Sequence, residues 1–527
     1  MKSLLSLPAH PKPGQRLDLP TLAASADALA LAQLARPGSL LAVVAANPLE
    51  AQRLAEEIAW FQPDLRVHLL PDWETLPYDS FSPHQDLISE RLATLYAVSR
   101  NECDVLIAAA STAVTRLPPP AFLAGHTFFM KKGERLDLGK LRAQLTVAGY
   151  QHVTQVVAAG EYSVRGGLVD LFPMGTALPY RIELFDDEVE TIRSFDVDSQ
   201  RTLYPVPEIR LLPAREFPAG DAGRTTFRQR FREAFEGDAS RISLYKDVSS
   251  GILPAGIEYY LPLFFDATAT LFDYLPEHAV LLLHGDVAGA IAEFWADTAG
   301  RYRMLGGDRS RPVLPPGELF LRDEEFFLGA NALAQFRHRA ANDPDGRATL
   351  PSLAVNRKAD DPLAALRDFL GRHGGRVLLL AESAGRRQTL NDYLVEYQLP
   401  PVACNDFAEF LASDEAFMLS VGPLSGGFLL LPLLPGEGRG GDGVGIAIVT
   451  ENELYAATAR PRGRRTDARR ANLEGWLRDL SELKVGDPVV HESHGIGRYL
   501  GLLHMDFGEG QKDEGGEFLH LEYAMSD

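Results

Sequence analysis

The sequence predicts a multidomain α/β protein, and three observations predict it. Its 527 residues exceed what one core sustains and imply three to five domains. Residues 25–117 alternate helical and strand patterns, the order of a parallel, doubly wound sheet. Residues 160–202 hold three apolar runs at strand spacing, punctuated by Gly, Pro and Asp-Asp, which is the pattern of an antiparallel meander.

In chain order, Ser25 is expected to cap a helix over 26–35, and 40–45 is a buried strand. Asn47 caps the next helix with Pro48 at its first position, and 49–61 continues it. Further strands fall at 67–70 and 105–109, with a helix over 87–98 between them. A strand at 128–131 and a helix over 138–148 lead into the β-rich insert, whose strands are 167–172, 179–185 and 189–195. Arg165, Arg181 and Phe185 sit where alternation turns them away from the core. An exposed aromatic flanked by two arginines is the combination that protein partners select.

The pattern then becomes mixed: a helix over 224–236, a strand at 279–284, a helix over 287–301 and an irregular closing segment at 312–321. Residues 342–361 are polar and read as a boundary. Helices over 362–373 and 384–397, with strands at 377–381, 417–421 and 444–449, form a second, small α/β unit. Residues 456–472 carry six arginines with Pro461 and Gly463, which reads as a basic linker; contact with DNA or a partner is the alternative. Residues 480–527 read as the start of a β-barrel, with strands at 489–491, 499–506 and 518–524 and HGIG (494–497) as the turn.

Composition excludes several classes. The 46% hydrophobic and 24% charged content is that of an ordinary globular protein. Two cysteines support neither a disulfide framework nor a Cys-based zinc site. No apolar stretch reaches the roughly 18–20 residues of a membrane span, and the first residues lack a signal peptide's apolar run, so a cytoplasmic location is expected. A net charge of −20 opposes chain-wide affinity for nucleic acid and leaves only local patches for DNA.

The segments DWETLPYDSFSPHQD (72–86), GEYSVRGGLVDLFPMG, LPYRIELFDDE, FDVDSQRT, LPAGIEYYLPLFF and VVHESHGIGRY together resemble the transcription-repair coupling factors, the Mfd family, related over their first domains to the excision-repair protein UvrB. The resemblance implies a helicase-like parallel sheet over 1–125 and 208–348 and a UvrA-docking domain at 126–207. It further implies a small α/β domain at 349–455, a linker at 456–479, and from 480 a CarD-like polymerase-interacting barrel of SH3/Tudor type. It assigns Arg165, Arg181 and Phe185 to UvrA binding, where composition alone would pair the arginines with Asp186, Asp187 and Glu188 and leave Phe185 partly in the core. It places a contact to the RNA polymerase β subunit on the strand after HGIGRY, through Leu503, Met505 and Phe507. The intact family member is an ATP-dependent DNA translocase, and this chain reads as the part that precedes the motor.

The chemistry of a nucleotide site is absent from the sequence. The turn AVVAANPLEAQ has neither the glycines nor the lysine nor the Ser/Thr that cradle phosphates and Mg²⁺, and Pro48 removes an N–H donor. Asp286 in VLLLHGDVAG stands alone where UvrB has Asp-Glu, and reads as a helix cap. The 72–86 segment runs into the next helix with no room for the DNA-clamping hairpin of UvrB. Its Trp73, Tyr78 and Phe81 read as packing residues. GRGGDG (438–443) matches a dinucleotide fingerprint but precedes a strand, so it reads as a loop. His491 and His494 lack a third ligand. The expectation is therefore a binding module with no catalytic residue, no bound cofactor and no metal. The competing readings are an ATP-dependent UvrB-like damage-recognition helicase and a CarD-like regulator with an accessory domain.

Overall fold

A computed structural model describes residues 4–5, 7–19, 22, 24–338, 350–430 and 445–455, together with the backbone of 488–491, 495–505 and 516–522. The chain divides into two units, 1–456 and 457–527.

The larger unit is built on a six-stranded, all-parallel sheet. Its spatial order is Arg16–Asp18, Ala334–His338, Val280–His284, Leu41–Ala45, Val105–Ala109, Val67–Leu70. Strands from 1–125 and 208–348 thus interleave in one sheet, and neither stretch has a sheet of its own. The runs LAVVA, VLIAA and VLLLH are buried along their whole length, as strands covered on both faces must be. Alternate residues serve different cores: Ala42, Val44, Leu106 and Leu281 face one, and Leu41, Val43, Ile107 and Leu282 face the other.

Two helices cover the second face, α1 (Ala26–Leu34) and α2 (Pro48–Phe61). At α2 the expected start forms: the Asn47 side chain accepts from the Glu50 N–H at 2.9 Å, and Pro48 occupies the first turn. At α1 the expected cap does not. The Ser25 hydroxyl donates instead to Glu57 at 3.0 Å, because that carboxylate is fully buried and needs donors more than the helix end does. α1 (ADALALAQL) is apolar nearly all round and buried on all sides. Such a helix needs a neighbour on each face, and a second sheet supplies the other.

That sheet runs in the order Val402–Ala403, Phe417–Val421, Arg376–Ala381, Ile446–Thr450, Phe428–Leu430; the first four are parallel and the last antiparallel. Phe407, Phe410, Met418 and Phe428 share one core with Leu54, Ile58 and Phe61, and Trp60 Nε1 donates to the Val421 carbonyl at 3.1 Å. The small α/β unit is thereby fused to the first sheet through the helix layer. Within the expected boundary, 350–361 carry no helix or strand, while 342–349 lie outside the described residues.

The insert is a six-stranded sheet ordered Thr202–Pro205, Glu188–Phe195, Tyr180–Phe185, Leu168–Leu171, Glu161–Arg165, Gln151–His152, antiparallel except for its last pair. The expected meander runs through it. Val169, Leu171, Ile182 and Ile192 pack with Leu141 and Leu145 of the helix Leu138–Val147.

Trp73 and Tyr78 are buried as packing residues, whereas Phe81 is 69% exposed: the turn that seats Tyr78 leaves Phe81 outside. In the smaller unit, the strands Pro488–His491, Gly495–Met505 and Gly516–Glu522 form an antiparallel sheet with the second strand central. The turn expected at 494–497 is displaced. Gly495, Ile496 and Gly497 pair with His491, Val490 and Val489, so these glycines extend the strand. Among the described residues, no helix is long and apolar enough to cross a membrane.

A candidate docking face and a buried histidine cluster

The meander places Arg165, Arg181 and Phe185 on one face. Asp170 pairs across the sheet with Arg181, and Leu168 bridges Arg165 and Glu183 in register. Glu183 lies two residues from both Arg181 and Phe185, which puts all of these on the side opposite Val169 and Ile182. Tight turns bring Arg165 and Phe185 to the same end of the sheet. Gly166 closes the first hairpin at φ 61°, a conformation glycine adopts freely, and Asp186 closes the second at φ 57°.

Phe185 is 74% exposed and is not part of the core. Nor do the two arginines pair with the acidic turn at 186–188. Both pair with Asp170, a carboxylate only 2% exposed. Arg181 Nε donates to Asp170 Oδ1 at 2.7 Å and Nη2 to Oδ2 at 3.0 Å, and Arg165 Nη2 reaches Oδ2 at 2.6 Å. Arg181 also donates to the Gln200 carbonyl and lies over the Phe195 ring, 5.0 Å from its centroid. It is mostly buried, not turned fully outward, because cross-strand Asp170 draws it down onto the sheet. Arg193 stands opposite Arg181 on the neighbouring strand and is exposed. The result is a cationic shelf held by one buried anion, with an uncovered phenyl ring at its end. Sequence reading missed Asp170. Its one visible signal was a carboxylate inside the short apolar strand LVDL.

The residues expected to contact polymerase fall in the smaller unit, so far as they are described. Leu503 and Met505 lie on the central strand, paired with Phe518 and Gly516. Pairing with Pro488–His491 stops at Arg498, so among the described residues 499–505 have a partner strand on one side only. Phe507 lies outside the described residues, as do GRGGDG, His494 and the basic linker.

Where a phosphate loop would lie, the chain runs from the strand Leu41–Ala45 directly into α2 through Asn47 and Pro48. Beside it, at the carboxyl ends of the neighbouring strands, side chains far apart in sequence converge. His284 and His338 are in register on adjacent strands, and their rings stack with centroids 4.7 Å apart. His284 Nε2 lies 2.9 Å from Asp27 Oδ2 on α1. Arg53 of α2 clamps both oxygens of Asp27, at 2.9 and 2.6 Å, and also pairs with Glu50 and Glu57. Burial works to raise the Asp27 carboxyl, but hydrogen bonds from His284 and Arg53 outweigh it and hold it well below the usual carboxylate range. Glu57 is pushed upward by burial and continues the network to Ser25 and the Ser425 N–H, the latter at 2.7 Å. Asp286 caps the following helix as expected, accepting from the Gly289 N–H at 2.9 Å. No spacing rule could have joined Asp27, His284 and His338, since only the parallel register brings them together.

Comparison with known proteins locates these features. Residues 128–217 match the family model of the UvrB interaction domain, 369–454 that of the MFD D3 domain, and 483–527 that of the CarD-like/TRCF RID domain. The chain is 42% identical over 524 residues to the transcription-repair-coupling factor of Escherichia coli K12, covering 97% of this chain and 44% of that protein. It is 39% identical over 536 residues to the factor of Haemophilus influenzae, covering 99% and 45%, and 25% identical over 520 residues to that of Bacillus subtilis, covering 91% and 41%. The chain thus spans less than half the length of these relatives.

Proposed function

Because this chain belongs, over the stretch it spans, to the transcription-repair-coupling-factor family, we propose that it is a protein-binding module that links UvrA to RNA polymerase stalled at DNA damage. The observation that carries the reading is the Asp170-held arginine shelf ending in exposed Phe185, within the segment matching the UvrB interaction domain. An exposed phenyl ring beside fixed guanidinium groups suits an interface hot spot, where aromatic and arginine side chains concentrate binding energy. Arg165, Arg181 and Phe185 would contact UvrA. Leu503, Met505 and Phe507 would contribute to a surface for the polymerase β subunit, within the segment matching the CarD-like domain.

On this reading the chain turns over no nucleotide and needs no ATP or Mg²⁺. The turn through Asn47 and Pro48 offers no glycine-rich cradle, and Arg53 is committed to Asp27, Glu50 and Glu57. ATP chemistry and movement on DNA would belong to the remainder of a full-length family member.

UvrA capture by the purified chain tests the proposal. Binding is expected without nucleotide and is expected to weaken by about 30-fold or more in Arg181→Glu and in Phe185→Ala, equivalent to about 2 kcal/mol or more. Because Phe185 is exposed, Phe185→Ala should leave the melting temperature unchanged. Equal capture of the parent and both variants would sink the assignment.

A further inference from the structure

We propose that Asp27, His284 and His338 form a buried site for one divalent transition-metal ion of the zinc class. This departs from the expectation, drawn from sequence spacing, that the chain holds no metal.

Three observations carry it. First, one donor atom from each residue lies within 4.8 Å of the others, and all three side chains are buried. Tetrahedral zinc with bonds of about 2.0–2.1 Å sets its ligand atoms roughly 3.3 Å apart. His284 Nε2 and Asp27 Oδ2, at 2.9 Å, need to separate by a few tenths of an ångström, and one of the two stacked imidazoles, whose planes lie 15° apart, has to rotate about its side-chain torsions to aim its lone pair at the shared ion.

Second, His338 is 4% exposed, and among the described residues neither of its ring nitrogens has a hydrogen-bond partner. A buried imidazole that serves packing alone leaves a donor and an acceptor unmet, at real cost. A metal ion beside it would partner one of the two nitrogens.

Third, the surroundings match a metal's needs. Arg53 fixes the Asp27 carboxylate through both oxygens, the outer-shell support that orients a ligand. The guanidinium charge is outnumbered by the carboxylates of Asp27, Glu50 and Glu57, all paired to it. The site also lies at the carboxyl ends of parallel strands, where open α/β sheets take ligands. Two imidazoles and one carboxylate favour zinc, cobalt or nickel over magnesium or calcium. With three protein ligands, a fourth position remains for water. For His284 Nε2 to take the metal, the neutral imidazole carries its one proton on Nδ1, which frees the Nε2 lone pair that now faces Asp27.

The test uses the whole chain, stripped with chelator and then titrated with ZnCl₂ or CoCl₂. One ion per chain is expected by elemental mass spectrometry after dialysis, with a tetrahedral cobalt spectrum. His338→Gln and His284→Asn should each weaken binding at least about 10-fold, while the double variant His491→Gln/His494→Gln should bind as the parent does. No retained ion, an octahedral cobalt spectrum, or binding lost only in the His491/His494 variant would overturn the site. The parent spectrum decides the matter even if a core histidine variant fails to fold.

Discussion

Asp170 is the residue on which the proposed docking face turns. It is buried, and it spends its charge holding two arginines in place before any partner arrives. Asp170→Asn keeps the shape but removes the anion, so Arg165 and Arg181 would regain rotamer freedom that binding must then quench. A loss of UvrA affinity of about 10-fold is expected by titration, with Phe185 still exposed. Unchanged affinity would show that the arginines need no anchor. Asp104 offers a second test at this scale. Its side chain is 1% exposed and accepts from the Arg66 guanidinium at 2.7 and 2.9 Å, from the Arg66 N–H and from the Gly38 N–H. The hydrogen bonds from Arg66 hold its carboxyl below the ordinary value of 3.8. A depressed carboxyl stabilises the fold above its unfolded-state value and loses that contribution as pH falls below it. Asp104→Asn should therefore cost about 1–3 kcal/mol at neutral pH and flatten the loss of stability below about pH 4, read by denaturant unfolding across pH.

The elements were legible where one pattern ruled. The apolar strands at 41–45, 105–109 and 280–284 and the Asn47-Pro48 helix start emerge because each is decided by residues within a few positions. Ser25 failed as a cap because Glu57, 32 residues away, competes for its hydroxyl. Composition alone points Arg181 to the wrong partner for a similar reason: Asp170 is opposite it across the sheet, whereas Asp186 is merely near it in sequence. The HGIG turn moved because its glycines suit a tight bend in isolation, yet cross-strand pairing claims three of those four residues. The histidine cluster was illegible, since Asp27 and His284 are separated by 257 positions. α1 carries a signal not drawn from it in sequence: apart from Asp27 and Gln33 the helix is apolar, and such a helix must be covered twice.

At the scale of the whole molecule, the α1–α2 layer makes one body of what the sequence divides at 342–361. Phe61, Phe407 and Phe428 meet in that layer, with ring centroids 5.1 Å apart for the first pair and 6.3 Å for Phe61 and Phe428. Separating the second sheet would expose this aromatic core to water. Residues 4–455 should accordingly unfold in a single calorimetric transition that carries both sheets; two resolved transitions, one assignable to 350–455, would refute the shared core. The strand Ile446–Thr450 has a further consequence. It is the last strand of this unit before position 456, and it is hydrogen-bonded on both sides, in parallel to Arg376–Ala381 and antiparallel to Phe428–Leu430. Tension drawn along the chain beyond that point would load two backbone ladders sideways at once, so that they must shear together and cannot unzip bond by bond. A linkage between a stalled machine and its repair partner would then have a firm mechanical anchor at this end of the second sheet.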